Sequence, residues 1–121
     1  METILVVDDE GPVVTVLRNV LEKNGYTILE ATSAETAMQI SDDYLAEIHL
    51  LITDHLLKRC HGAEVAERIL KSRSRMKVLY MSGHNRDELI TEGSLPPGAG
   101  FLQKPFLPGE LRRAVRDLLD S

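Results

Sequence analysis

Apolar residues are laid along the chain in two rhythms that alternate. Short unbroken runs such as Ile4–Val7, Leu50–Ile52 and Val78–Met81 each end in polar residues. Between them, apolar residues recur at i, i+3, i+4 and i+7. Unbroken runs of this length read as strands covered on both faces, and the second rhythm reads as helices with one buried stripe. A strand is predicted over 3–7. Pro12 suits a first helical position, and Val13, Val14, Leu17, Val20 and Leu21 carry that helix to a stop at Lys23-Asn24-Gly25. A second strand over 26–30 alternates partly and belongs nearer an edge. Ser33 caps the next helix, whose inner stripe is expected to be Ala34, Ala37, Met38, Ser41 and Leu45. A third strand over 47–53 delivers Asp54, and the loop 55–62 ends in Gly62. The helix from about Ala63 to Ser72 turns Val65, Ala66, Ile69 and Leu70 inward, with Glu64–Arg68 and Glu67–Lys71 as outward i,i+4 pairs. A strand over 76–81 is followed by a weak helix over 84–92, with only Leu89 and Ile90 apolar. The stiff loop 93–100, containing Pro96-Pro97-Gly98, leads to a brief strand over 99–102. A last helix begins at about Leu107, striped by Leu111, Ala114, Val115, Leu118 and Leu119.

Five strands alternating with five helices imply βαβ units, a parallel sheet and right-handed crossovers. The expected fold is α/β, a flavodoxin-like (βα)5 three-layer sandwich with strand order 2-1-3-4-5. The length of 121 residues suits one domain spanning 1–121. That order sets strands one and three side by side at the point where the winding reverses, which is where such sheets bind ligands. Asp8, Asp9 and Asp54 are expected to meet there.

Charge narrows the partners. A net charge of −5 argues against a nucleic-acid surface or an anionic membrane as primary partner. The basic pairs Lys58-Arg59 and Arg112-Arg113 extend into no longer run. The single cysteine, Cys60, allows no internal disulfide and fits a reduced, cytoplasmic setting. No apolar run approaches the roughly 18 residues of a membrane span, and no signal peptide is expected before the first strand.

Three neighbouring carboxylates repel one another, and a cation among them relieves this. Magnesium fits, with its preference for hard oxygen ligands and retained waters. Asp54 could ligate such a metal and also attack phosphorus, since carboxylates form aspartyl phosphates. Lys104 could neutralise a transferring phosphoryl group, and the Ser82 hydroxyl could hydrogen-bond it.

The segments ILVVDDE at 4–10, LLITD at 50–54, YMSG at 80–83 and FLQKPF at 101–106 are each weak as motifs. In this order, and each at a strand end, they are specific. Over nearly its whole length the chain resembles the response-regulator receiver domains of two-component systems, and most of all those attached to hybrid sensor histidine kinases. The resemblance implies that Asp54 is the phosphoacceptor. It implies direct Mg²⁺ ligation by Asp9 and Asp54, with Asp8 acting mostly through water and the Leu56 backbone carbonyl as a further ligand. Ser82 would be the switch hydroxyl, Phe101 the switch aromatic, and Lys104 the phosphoryl-binding cation, with the Lys104–Pro105 bond cis. The donor would be a phosphohistidine on a histidine kinase or a histidine phosphotransfer domain. The domain would then be no ordinary enzyme, but a switch that catalyses its own phosphorylation. One departure stands out: Lys58 occupies the position, four residues after the acceptor, where receivers usually carry proline.

Each residue also has a plainer reading. A lone strand-end aspartate is more often a cap than a nucleophile, Ser82-Gly83 alone is a turn, and Phe101 alone is core. The weight lies in their combination. A receiver-like interaction module that takes no phosphate is the main alternative, motivated by Lys58 and Arg59, either of which could pair with Asp54. An aspartate-nucleophile phosphatase would want Asp-x-Asp after the first strand, where the run here is Asp8-Asp9-Glu10, and a flavin protein would want a phosphate-cradling loop there. His55, His61 and His84 lie on the same edge, but their spacing matches no standard zinc pattern.

Overall fold

In a computed structural model the described residues are 2–96 and 98–121; Met1 and Pro97, the latter in the predicted stiff loop, lie outside them. The elements follow the expected alternation: β1 Thr3–Val7, α1 Gly11–Glu22, β2 Thr27–Ala31, α2 Ala34–Asp43, β3 Leu50–Asp54, α3 Gly62–Leu70, β4 Lys77–Ser82, α4 Arg86–Glu92, β5 Gly100–Gln103 and α5 Pro108–Asp120. The five strands form one sheet in the order β2-β1-β3-β4-β5, and every pairing is parallel. The fold is the flavodoxin-like α/β sandwich.

Alternation along the inner strands divides the core between the two faces. Leu5, Val7 and Leu51 pack with Ala37 of α2, with Val65, Ala66 and Ile69 of α3, and with Leu89 of α4. Ile4, Val6, Leu50 and Ile52 pack on the other face with Val14, Leu17 and Leu21 of α1 and with Leu111 and Val115 of α5. All five residues of β1 are buried, as its unbroken apolar run requires. In contrast, α4 carries a single fully buried residue, Leu89. It ends at Gly93, whose left-handed backbone (φ 78°) turns its N–H back onto the Leu89 and Ile90 carbonyls.

Three local expectations are corrected. The third strand begins at Leu50, not at residue 47, and runs through Asp54, which pairs in register with Met81. Leu45 is not on the inner stripe of α2: that helix ends at Asp43, and Leu45 is 99% exposed. Arg73 fixes this exit, donating to the carbonyls of Ser41 (2.9 Å), Tyr44 (2.6 Å) and Ala46 (2.9 Å). Glu64 does not reach Arg68 but accepts from the His61 backbone N–H at 3.0 Å, closing the first turn of α3. The Ser33 cap is as expected, its hydroxyl accepting from the Thr36 N–H at 3.1 Å. Among the described residues no helix is long and apolar enough to cross a membrane.

Candidate functional site

The carboxyl ends of β1, β3, β4 and β5 converge on one edge of the sheet. Asp8 follows β1 directly, its N–H held by the Ala31 carbonyl at 3.3 Å. Its side chain is fully buried, and a buried carboxylate must be paired. Oδ1 accepts from the Glu10 N–H at 2.9 Å. Oδ2 accepts from Lys104 Nζ at 2.9 Å. Lys104 is anchored through its own backbone, which donates to the Ser82 carbonyl at 2.7 Å. The same Nζ lies 3.3 Å from Asp54 Oδ2, so one ammonium joins the acid after β1 to the acid ending β3. Burial alone would lower the Lys104 pKa, but the hydrogen bonds and charges of Asp8 and Asp54 outweigh it, and the group is pushed up. The Lys104–Pro105 peptide is cis.

Asp54 is 19% exposed, open enough to be reached from solvent. Asp9 stands nearer the surface and, among the described residues, has no cation bonded to it as Asp8 has. Burial, and then the charges of Asp8 and Asp54, push its pKa up. Lys58 opposes this both by its charge and by its backbone N–H. A proline at that position would have no N–H to offer. Arg59 lies instead against Glu35, 3.8 Å away on the surface.

Ser82 ends β4 fully buried, its Oγ accepting from the His84 N–H at 2.9 Å. Phe101 of β5 is half-buried, in register with Tyr80 and packed against the core face shared by α2, α3 and α4. Leu56 sits in the loop after β3, where it forms an isolated bridge with His61. The two bonds of that bridge, Gly62 N–H to His55 O (2.8 Å) and Leu57 N–H to Cys60 O (2.9 Å), leave the Leu56 carbonyl unspent.

Asp8, Asp54 and Lys104 are thus brought into direct contact. Among the described residues the acids do not form a ready cage of three or more metal-ligating side chains, because Asp8 is taken up by Lys104 and Glu10. What remains, Asp9, Asp54 and a free carbonyl, still suits magnesium, which typically takes one or two carboxylates and keeps several waters. Burial raises the Asp9 pKa first and the charges of Asp8 and Asp54 next, and the latter are what such an ion would relieve.

Of two neighbours of Asp54, Thr53 was not singled out from the sequence, and His55 only as one of three edge histidines whose spacing matches no zinc pattern. Thr53 is fully buried in the otherwise apolar β3, and its hydroxyl donates to the Asp54 carbonyl at 3.0 Å. His55 turns its ring back onto Asp54, Nδ1 lying 3.5 Å from Oδ1. The hydroxyl in an apolar run was a visible signal for Thr53; nothing local signals the turn of the His55 ring.

The family model described as the response regulator receiver domain matches residues 4–116. The chain belongs to this family. It is 29% identical over 121 residues to the sensor kinase CckA of Brucella abortus, covering 98% of this chain and 13% of that protein. It is 30% identical to the alkaline phosphatase synthesis transcriptional regulatory protein PhoP of Bacillus subtilis, covering 96% of this chain and 48% of that one. Among solved structures, a receiver protein from Sinorhizobium medicae superposes with a TM-score of 0.84 at 28% identity, covering 99% of this chain and 95% of the other. The receiver domain of the hybrid histidine kinase CckA superposes at 0.74 with 29% identity, covering 97% and 98%. The chain spans about half the length of the curated regulator and far less of the kinase. The protein is therefore a receiver of two-component signalling, the class of domain built to be switched by phosphorylation.

Proposed function

We propose that this receiver, acting as one domain over residues 1–121, accepts a phosphoryl group on Asp54 from a phosphohistidine. The reading is carried by Lys104, whose Nζ lies 2.9 Å from Asp8 and 3.3 Å from Asp54. An ammonium so held is in place to follow negative charge onto an incoming phosphoryl group. An Asp54 oxygen attacks phosphorus, the O–P bond forms as the N–P bond to the donor histidine breaks, and the leaving nitrogen takes up a proton. Asp9, Asp54 and the Leu56 carbonyl would hold magnesium, with Asp8 acting mostly through water, and the ion would supply further positive charge to the phosphoryl oxygens. The Ser82 hydroxyl leaves its bond to the His84 N–H and turns to a phosphoryl oxygen. Phe101, with no hydroxyl to satisfy, follows into the space released, and α4, whose one fully buried residue is Leu89, shifts with it. Incubation with acetyl phosphate and Mg²⁺ should add the mass of one phosphoryl group, and an unchanged intact mass would overturn the reading.

The surface beside Lys104 supports this kind of partner. Pro12, Val13, Val16, Pro105 and Phe106 line an open apolar groove of about 520 Å³ that Lys104 also borders. Val16 and Leu107 are exposed at 50% and 69%. A helix presenting phosphohistidine, from a histidine kinase or a phosphotransfer domain, would seat its apolar flank there with the histidine towards Asp54. Val16→Asp should therefore slow transfer from a phosphorylated histidine domain roughly tenfold or more, the loss expected for a charge placed in an apolar contact. Labelling by acetyl phosphate should be unchanged, and equal slowing with both donors would defeat the docking face. A cytoplasmic setting is consistent with the lone Cys60 and with a histidine-kinase donor.

Asp9 gives a separate test of the metal. A carboxyl whose folded pKa is raised stabilises the fold below its unfolded pKa, and that contribution is lost as pH rises through the folded value. At neutral pH the ionised Asp9 therefore destabilises the metal-free protein. Asp9→Asn should raise the metal-free Tm at pH 7 by a few degrees and abolish the further rise that Mg²⁺ gives the wild type. A Tm that rises with Mg²⁺ equally in both proteins would remove Asp9 from the metal site.

A further inference from the structure

His55 has a main chain clamped on both sides. Its N–H donates to the Met81 carbonyl at 2.8 Å, and its carbonyl accepts from the Gly62 N–H at 2.8 Å. The ring lies beside Asp54, with its side chain only 12% exposed. Nδ1 is sealed from solvent and, among the described residues, has no hydrogen-bond partner. Asp54 Oδ1 lies 3.5 Å away, close enough to feel the charge but short of a bond. The exposed His84 ring meets the His55 ring edge to face, 5.7 Å between centroids and 79° between planes, and so covers it.

A buried ring nitrogen without a partner is uncommon, because leaving it unpaired forfeits the bond it had with water. Two facing acceptors would also repel, so a bare Nδ1 lone pair aimed at a carboxylate oxygen is the worse of the two tautomers; Nδ1 bearing the proton is the better. The two oxygens of Asp54 then face different partners: Lys104 Nζ is on the Oδ2 side and His55 Nδ1 on the Oδ1 side.

We propose that His55 is a positioning residue for phosphoryl transfer: its Nδ1–H holds Asp54 Oδ1, leaving Oδ2 as the oxygen that attacks phosphorus. The bond closes from 3.5 Å when the carboxylate becomes an acyl phosphate, whose carbonyl oxygen is Oδ1. Catalytic hydrogen bonds that are long in the free protein commonly tighten in this way. The role rests on Asp54 being the acceptor.

The test compares wild type, His55→Leu and His55→Gln with acetyl phosphate as donor. His55→Leu should phosphorylate roughly five- to tenfold more slowly at saturating donor, about the weight of one hydrogen bond, with KM for the donor unchanged. His55→Gln, which keeps a donor, should recover much of that rate. NMR of the imidazole nitrogens in the wild type should place the proton on Nδ1, both free and in the Mg²⁺–beryllofluoride complex, a signature that a merely space-filling ring has no reason to show. A His55→Leu rate equal to wild type, or a proton on Nε2 alone in that complex, would overturn the proposal. If the variants do not fold, the wild-type tautomer decides. A wild type that takes no label counts against Asp54 as acceptor, whereas a labelled wild type matched by His55→Leu counts against His55 only.

Discussion

Replacing Asp54 with asparagine is expected to reduce phosphoryl labelling by at least roughly 10³-fold, the scale on which removal of a nucleophile acts. An amide oxygen is a poor nucleophile and its acyl product has no comparable stability. The fold should survive. The asparagine side chain has nearly the same shape, and the stronger of the two Lys104 contacts, 2.9 Å to the buried Asp8, does not involve residue 54. The lost contact is the longer one, at 3.3 Å to a side chain that is 19% exposed, and such partly open pairs contribute little. Removal of one charge also relieves Asp9, which burial and the charges of Asp8 and Asp54 hold above the ordinary carboxylate range. Intact mass after acetyl phosphate treatment, with a melting curve alongside, checks both parts. Stoichiometric labelling of the variant would move the acceptor elsewhere. Loss of the fold would give Asp54 a structural role that its open position does not suggest.

The sheet could be read from the chain because its inner strands are covered on both faces, and burial of that kind leaves unbroken apolar runs. Ile4–Val7 and Leu50–Ile52 are both fully buried. The acids and the lysine could be read because each interrupts such a run where it leaves the sheet. What could not be read is contact between distant segments. Leu45 has helical spacing from Ser41, yet α2 ends before it because Arg73, far along the chain, takes the carbonyls there. Glu64 has the spacing to meet Arg68, yet the nearer His61 N–H takes its carboxylate. Glu47 to His49 look like strand, but the ladder enters only through His49, whose N–H meets Thr3 and whose carbonyl receives Lys77.

The same limit applies at the site. The sequence places Lys58 near Asp54 as a candidate partner, whereas the contact with Asp54 is made by Lys104, and Lys58 bears on Asp9. Composition alone could not rank the two lysines. The anchoring of the Lys104 backbone to the end of β4 does, because it fixes where that side chain starts.

Gly62→Ala is expected to be among the most damaging small substitutions in the protein. Gly62 opens α3 with its Cα against the Asp54 carbonyl, and a methyl group there would overlap that oxygen and crowd the Thr53 side chain at 3.0–3.1 Å. Neither partner can retreat freely. Asp54 is held in the sheet opposite Met81, and its carbonyl already accepts from the Thr53 hydroxyl at 3.0 Å. Backing α3 away would break the 2.8 Å bond from Gly62 to His55 and unseat Val65, Ala66 and Ile69 from the core. A cost of about 2–3 kcal/mol, the usual range of overpacking at a rigid site, corresponds to a Tm lower by roughly 10 °C in a chain of this size. The strain also falls on the backbone of Asp54, so, with Asp54 as the proposed acceptor, the surviving folded protein should take phosphate more slowly. Gly11→Ala is the matched control: Gly11 opens α1, and a methyl group there would meet nothing within 4 Å. Its Tm should stay level or rise slightly, since alanine lowers the entropy of the unfolded chain. Equal melting points for the two variants would mean that α3 is not pressed against Asp54, and the account of how the fold holds the acceptor in place would fail with it.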